Sequence, residues 1–382
     1  MRALFTTSGG YGHFLPMLPI AQSLAARGQE VAFAVPASFT GVAEEAGFRA
    51  FPMPTPVPDA VGAKTSADGR ATVARYLEQS VLTAPALSRT VEDWGADVIV
   101  RETTAWAGWL VGEGTGIPVA VFDFAPTPPV VLAATTGRDF QAARAACGLP
   151  PDPRLRTLNR WLHLLAAPPG WYEKPVFGET SHLFQPPPDP DAPEGTAAWR
   201  VGAGGGRPLV YVSLGTKFNA TPGVLEAILE ALADEEFDVV ATTGASRPPS
   251  LLREAGNITV KEFIPQALIV PHADAVVCHA GYGTLMSALC SGRPAVAIPL
   301  GNADGPANGA RLAATGAGIT MSVQEATRET LRQAVQRVLT EREFRTSART
   351  LADGARELPP LAKAAQLLER LARERRPILA TS

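Results

Sequence analysis

Several things that mark other classes of protein are scarce in this chain. Its three cysteines, Cys147, Cys278 and Cys290, are too few and too scattered for a disulfide framework. Cys278 and Cys290 lie in apolar segments and read as small buried hydrophobes. Charged residues make up only 19% of the 382, and the net charge is −3. The one basic run is Arg373-Glu374-Arg375-Arg376, whereas neutralising nucleic-acid phosphates takes a concentrated cationic face. Nucleic acid is therefore not expected as a partner. No apolar run reaches roughly 18 residues, so no membrane span is expected. The opening Ala3–Thr7 reads as a strand instead of a signal h-region, which leads to a cytosolic expectation. A P-loop lysine pattern and a G-x-S-x-G elbow are both missing.

What the chain does have is a hydrophobic fraction of 46%, enough for proper cores. Short apolar runs alternate with helical spacings. Arg2–Thr7 is a strand, Pro16–Arg27 a helix closed by Gly28, and Glu30–Val35 the next strand. Asp97–Val100 and Val119–Phe122 continue the series. From 126 to 190 the pattern breaks down among prolines. An apolar patch there (Trp161, Leu162, Leu164, Leu165, Trp171, Tyr172) reads either as an irregular lid or pocket wall or as a helix packed on the core. Gln185–Pro193 is a stiff proline connector, followed by a flexible Gly202–Gly206. Strands then recur at Leu209–Ser213, Asp238–Thr242, Ile258–Glu262, Ala275–Cys278, Ala295–Ile298 and Gly318–Met321. Helices follow over about 324–339, 341–354 and 360–375. The expected fold class is α/β, with two doubly wound Rossmann-like parallel-sheet domains facing a cleft, over residues 1–200 and 207–382.

Chemistry gathers where strands end. Gly10-Tyr11-Gly12-His13 follows the first strand, but the third glycine of a dinucleotide fingerprint is replaced by Leu15 and no acid closes the second strand. His13 is instead a general-base candidate at a helix start. Glu102, ending its strand, is the candidate anion to orient it; the alternative is an exposed carboxylate paired with Arg101. In the second half His279-Ala280-Gly281-Tyr282-Gly283-Thr284 joins a buried strand to a helix, a build that offers backbone N–H groups to a diphosphate. His279 adds a hydrogen bond, and a charge if protonated. Ser213-Leu214-Gly215-Thr216 and Asn302-Ala303-Asp304 lie at the same edge. Metal ligation finds little support, since Asp189-Pro190-Asp191 sits inside the proline connector.

Together these segments resemble the nucleotide-sugar-dependent glycosyltransferases of GT-B fold, especially the bacterial, actinomycete-type enzymes that decorate antibiotic and polyketide aglycones. The likeness is carried by Gly12-His13 with Pro16 beyond, Ala96–Glu102, Gly116-Ile117-Pro118, Ser213–Thr216, Phe263-Ile264-Pro265-Gln266, His279–Thr284, Asp304 and Asn308. It implies inverting, metal-independent transfer from a dTDP- or UDP-sugar co-substrate to a hydrophobic acceptor, with no cofactor. By the same resemblance His13 is the catalytic base and Glu102 its partner, where an aspartate is commoner. Phe263 stacks on the nucleobase and the Ile264 backbone reads its edge. Gln266, His279, Gly281, Gly283 and Thr284 cradle the donor, with Ser213, Gly215 and Thr216 opposite. Asp304 grips sugar hydroxyls without its usual glutamine neighbour, because position 305 is glycine; a deoxysugar on dTDP is the expectation. A nucleotide-sugar epimerase, a non-catalytic auxiliary protein and a bilayer-touching transferase are the rivals. Oxygen or carbon as nucleophile, the acceptor's identity and a homodimer stay open.

Overall fold

A computed structural model describes residues 1–54, 69–187, 206–215, 221, 223–244, 248–252, 256–300 and 304–380. The expected connector over 188–193, the flexible glycines 202–205, Thr216, Asn302 and Ala303 lie outside the described residues. Two compact units form: one from Met1–Ala166, Glu173–Pro187 and Leu358–Ser382, the other from Ala167–Tyr172 and Pro188–Glu357.

The first unit is built on a parallel sheet of β1 (Arg2–Thr6), β2 (Glu30–Pro36), β3 (Arg49–Met53), β4 (Val98–Glu102), β5 (Val119–Asp123), β6 (Leu162–Ala166) and β7 (Ser181–Phe184). The spatial order is β3-β2-β1-β4-β5-β6-β7. Every residue of β4, β5 and β6 is buried, which is why they read as unbroken runs and not as alternation. Strand order reverses between β1 and β4, whose registers pair Thr6 with Arg101. Such a switch point leaves a crevice at the carboxyl ends of the strands, where α/β sheets bind ligands. The helices on this sheet include α1 (Tyr11–Phe14), α2 (Leu18–Ala26), α3 (Thr40–Glu45), α4 (Gly69–Trp94), α5 (Trp106–Thr115) and α6 (Pro129–Ala146).

Two expectations for 126–190 need correction. The prolines before α6 do not break structure; Pro128 is its N-cap and Pro129 its first residue, where a missing N–H costs nothing. The apolar patch is neither lid nor helix. Leu162, Leu164 and Leu165 are interior residues of β6, fully buried, and Trp171 and Tyr172 are buried too. No helix among the described residues is long and apolar enough to cross a membrane.

The second unit carries β8 (Leu209–Ser213), β9 (Asp238–Thr242), β10 (Ile258–Lys261), β11 (Ala275–Cys278), β12 (Ala295–Ala297) and β13 (Gly318–Thr320), in the order β10-β9-β8-β11-β12-β13. Its switch point falls between β8 and β11, where Ser213 pairs with Cys278. Around it lie α7 (Val224–Leu232), α8 (Gln266–Ile269), α9 (Tyr282–Cys290), α10 (Gly305–Ala314), α11 (Arg328–Thr340) and α12 (Arg342–Glu357).

The expected second span of 207–382 is too long at its end. Helix α13 (Ala364–Glu374) belongs to the first unit, where it packs on α2. Leu368 and Leu371 are fully buried there, each worth about 1.5–3 kcal/mol. Arg27 Nη2 also meets Glu369 Oε2 at 2.6 Å, a solvent-screened ion pair that adds little. Apolar burial therefore holds the helix. Beyond it the Ile378 N–H donates to the Trp161 carbonyl at 2.8 Å, and the Ala380 N–H to Glu179 at 2.8 Å.

Candidate active site and donor cradle

In the first unit the chain leaves β1 through Gly9 and Gly10, at φ 94° and 91°. A Cβ on Gly9 would come within 3.0 Å of the Pro36 ring, so this left-handed turn belongs to glycine on two counts. One helical turn then closes at once, with the His13 and Phe14 N–H groups both donating to the Gly10 carbonyl at 3.1 Å. That turn sets His13 beside the end of β4. Its Nδ1 lies 3.2 Å from Glu102 Oε2, and its ring meets Phe124 edge to face at 5.3 Å.

Glu102 is not the exposed strand-end carboxylate that the sequence left open. It is fully buried, while the Arg101 guanidinium turns elsewhere, to the carbonyls of Glu102, Thr103 and Leu158. Four donors surround the carboxylate. The Ser8 N–H reaches Oε1 at 3.0 Å and the Thr104 N–H reaches Oε2 at 2.7 Å. The Thr104 hydroxyl donates to Oε1 at 2.9 Å, and His13 is the fourth. Burial alone would raise the carboxyl pKa, but the His13 charge and hydrogen bond, with the two amides, outweigh it and hold it at about 2. Glu102 is thus an acceptor only, and Nδ1 of a neutral His13 must carry the hydrogen. The basic nitrogen is then Nε2. The Ser8 and Thr104 hydroxyls stand at 3.4 and 3.5 Å from Nδ1, so the carboxylate is the stronger partner. Ser8 and Thr104 were not singled out from the sequence; the only signal was their position just past two adjacent strand ends. A small recess beside them is lined by Ser8, Tyr76, Gln79, Ser80, Thr83 and Thr104 among others.

In the second unit the sequence-selected residues gather along one sheet edge. Ser213 ends β8, and its hydroxyl accepts the Gly215 N–H at 3.4 Å. The His279 ring is set between two glycines. A Cβ on Gly215 would lie 2.5 Å from its Cε1, and one on Gly281 would overlap its Nε2. Gly215 also sits at φ 73°. Burial lowers the His279 pKa, only partly offset by Asp304 and by a hydrogen bond to the Ser213 backbone. At neutral pH the ring is therefore an uncharged hydrogen-bonding group, not the cation the sequence had allowed for.

Gly281 caps α9, and Gly283 and Thr284 fall in its first turn, with no side-chain cap on those amides. Thr284 is held by the Gln266 amide, whose Nε2 donates to Oγ1 at 3.1 Å. Ile264 is buried, whereas the Phe263 ring is 75% exposed. Asp304 caps α10, and its Oδ2 accepts from Asn308 Nδ2 at 3.1 Å. Among the described residues no group of three or more His, Cys, Asp or Glu side chains is arranged to hold a metal.

Comparison with known proteins follows the same lines. Residues 226–371 match the family described as erythromycin biosynthesis protein CIII-like, C-terminal domain. The chain is 30% identical to 4'-demethylrebeccamycin synthase of Lentzea aerocolonigenes, over 97% of this chain and 99% of that one. Among solved structures, glycosyltransferase SnogD from Streptomyces nogalater is 25% identical with a TM-score of 0.76, covering 97% and 99% of the two chains. Glycosyltransferase VinC, solved in complex with dTDP, shares the fold at 21% identity and a TM-score of 0.78, covering 98% and 100%.

Proposed function

Because the chain belongs to the antibiotic and natural-product glycosyltransferases, we propose that it transfers a deoxysugar from a nucleoside-diphosphate donor, with inversion, to a hydroxylated aglycone. The observation that carries this reading is the His13–Glu102 pair, a buried, fully hydrogen-bonded carboxylate fixing one imidazole nitrogen. His13 Nε2 takes the acceptor's proton as the acceptor oxygen bonds to the anomeric carbon. The bond from that carbon to the diphosphate oxygen breaks, and the nucleoside diphosphate leaves with the electron pair. Glu102 stabilises the imidazolium that results, as carboxylates do for histidine bases generally.

The leaving group's charge is met by the amides of Gly281, Gly283 and Thr284 and by the neutral His279. A helix N-terminus of about half a unit charge can supply this without a metal ion. Phe263, exposed and unencumbered, suits stacking on a base such as thymine, and VinC was solved with dTDP. Gly305 supports a donor poor in hydroxyls. A Cβ there would meet the His279 carbonyl and Pro299 at 3.6 Å, ordinary contact, so what glycine removes is a side-chain amide and not a clash.

Mass spectrometry of reactions pairing dTDP-deoxysugars and UDP-glucose with aromatic and macrocyclic aglycones is the test. A glycosylated product from a dTDP-deoxysugar is expected, and its loss by about 10²-fold or more in His13→Ala. A clear preference for UDP-glucose would overturn the donor assignment, and near-normal turnover of His13→Ala would remove the base.

A further inference from the structure

Ala280 is buried at the centre of the donor turn with φ at +64°, a left-handed conformation that side-chain-bearing residues rarely adopt. Something must hold it there. Its carbonyl oxygen accepts a hydrogen bond from Asn308 Nδ2 at 3.1 Å, and the second hydrogen of the same amide goes to Asp304 Oδ2, also at 3.1 Å. Asn308 itself is completely buried, which shields its bond to the Ala280 carbonyl from water. A primary amide has two N–H donors diverging from one nitrogen, which is what bridging two segments at once requires.

We propose that Asn308 is a positioning residue for donor binding: one side-chain amide locks the Ala280 turn and the Asp304 carboxylate in mutual register. This rests on the donor site proposed above and adds to it a residue that touches no substrate. The physical reason lies in the peptide unit. In a trans peptide the C=O and the following N–H point in opposite directions. With the Ala280 carbonyl tied to Asn308, the Gly281 N–H is aimed away from α10, and among the described residues it donates to nothing. Gly281 is the first amide of the diphosphate cradle. Asp304, at the other end of the bridge, is the acid assigned to the sugar. Cradle and acid are thus set by one side chain, four residues after Asp304 on α10.

Without Asn308, the Ala280 carbonyl has no reason to keep its inward direction, and the residue relaxes out of the left-handed region. Glycine at 280 would stay there unaided. This gives a test that a simple packing loss would not pass. Titration calorimetry with thymidine diphosphate should show Asn308→Ala binding at least tenfold more weakly than the unaltered chain. Ala280→Gly added to Asn308→Ala should recover most of that loss. In turnover assays, KM for the sugar nucleotide should rise far more than kcat falls.

Amide hydrogen exchange over residues 279–285 of the ligand-free protein should quicken in Asn308→Ala and slow again in the double variant. If Asn308→Ala does not fold, Asn308→Asp keeps the shape while setting a carboxylate against both acceptors, and the same outcomes apply. Unchanged affinity and exchange in Asn308→Ala would overturn the proposal, as would failure of Ala280→Gly to recover anything. Should the unaltered chain bind neither thymidine nor uridine diphosphate, the donor site falls instead, and the exchange measurement still decides whether Asn308 holds the turn.

Discussion

Glu102→Gln is the sharpest perturbation of the proposed base, because every neighbour of the carboxylate is a donor. The replacement keeps the shape but turns one oxygen into an NH2, which must face an N–H wherever it lies. On the Oε1 side it meets the Ser8 N–H at 3.0 Å, with the Thr104 hydroxyl at 2.9 Å free to reverse and accept. On the Oε2 side it meets the Thr104 N–H at 2.7 Å and His13 Nδ1 at 3.2 Å. The Oε1 side is the lesser conflict, so the amide oxygen stays towards His13 and the imidazole keeps its tautomer. What is lost is the full negative charge facing the imidazolium. The expected fall in turnover is therefore about 10²-fold, at the low end of the range for base and tautomer defects.

Stability should fall as well. A carboxyl group held at about 2, against 4.5 in the unfolded chain, stabilises the folded state by on the order of 3 kcal/mol at neutral pH. Because the folded pKa is the depressed one, this contribution is complete above about pH 4.5 and disappears as pH falls towards 2. Denaturant unfolding of the two proteins should thus differ at pH 7 and converge across that window. Single-turnover release of the nucleoside diphosphate, with the acceptor identified by mass spectrometry, reads the rate. If the pair acts as a unit, Glu102→Gln added to His13→Ala costs little more than His13→Ala alone. Fully multiplicative losses, or a pH-independent stability difference, would refute the pairing.

Other expectations follow from the second unit. Phe263→Ala removes an exposed ring, so its melting temperature should stay within noise of the parent, while thymidine diphosphate binding weakens by the roughly 1–3 kcal/mol typical of base stacking. Unchanged affinity by calorimetry would take Phe263 out of the site. Gly215→Ala puts a methyl group 2.5 Å from His279 Cε1 at a position with φ 73°, so the ring must move and diphosphate affinity should drop at least tenfold. A crystal structure of that variant with an unmoved His279 ring would contradict the steric argument.

Much of the fold was legible because β1, β4, β5, β8 and β11 are covered on both faces and therefore read as plain apolar runs. The candidate residues were legible for a related reason: they end apolar strands or lie in the turns that follow them, where ligand-facing or turn chemistry interrupts apolar sequence. What stayed hidden depended on distant partners. Leu162–Ala166 is five apolar or aromatic-like positions that suit a strand or a helix equally, and only pairing with β5 and β7 decides. The prolines before α6 carry the same letters whether they end one element or begin another. Helix α13 has an ordinary amphipathic pattern, and nothing in that pattern says which unit it covers. Ser8 and Thr104 became visible only once β1 and β4 were neighbours.

The return of residues 358–380 to the first unit bears on how the protein is made. During synthesis the β1-containing sheet emerges early, yet the stretch that seals α2 and borders Trp161 leaves the ribosome only after the whole second unit. The later-encoded unit is almost contiguous in the chain and can close by itself first. The unit that carries His13 waits, with one apolar flank uncovered, until residues 358–380 have been made.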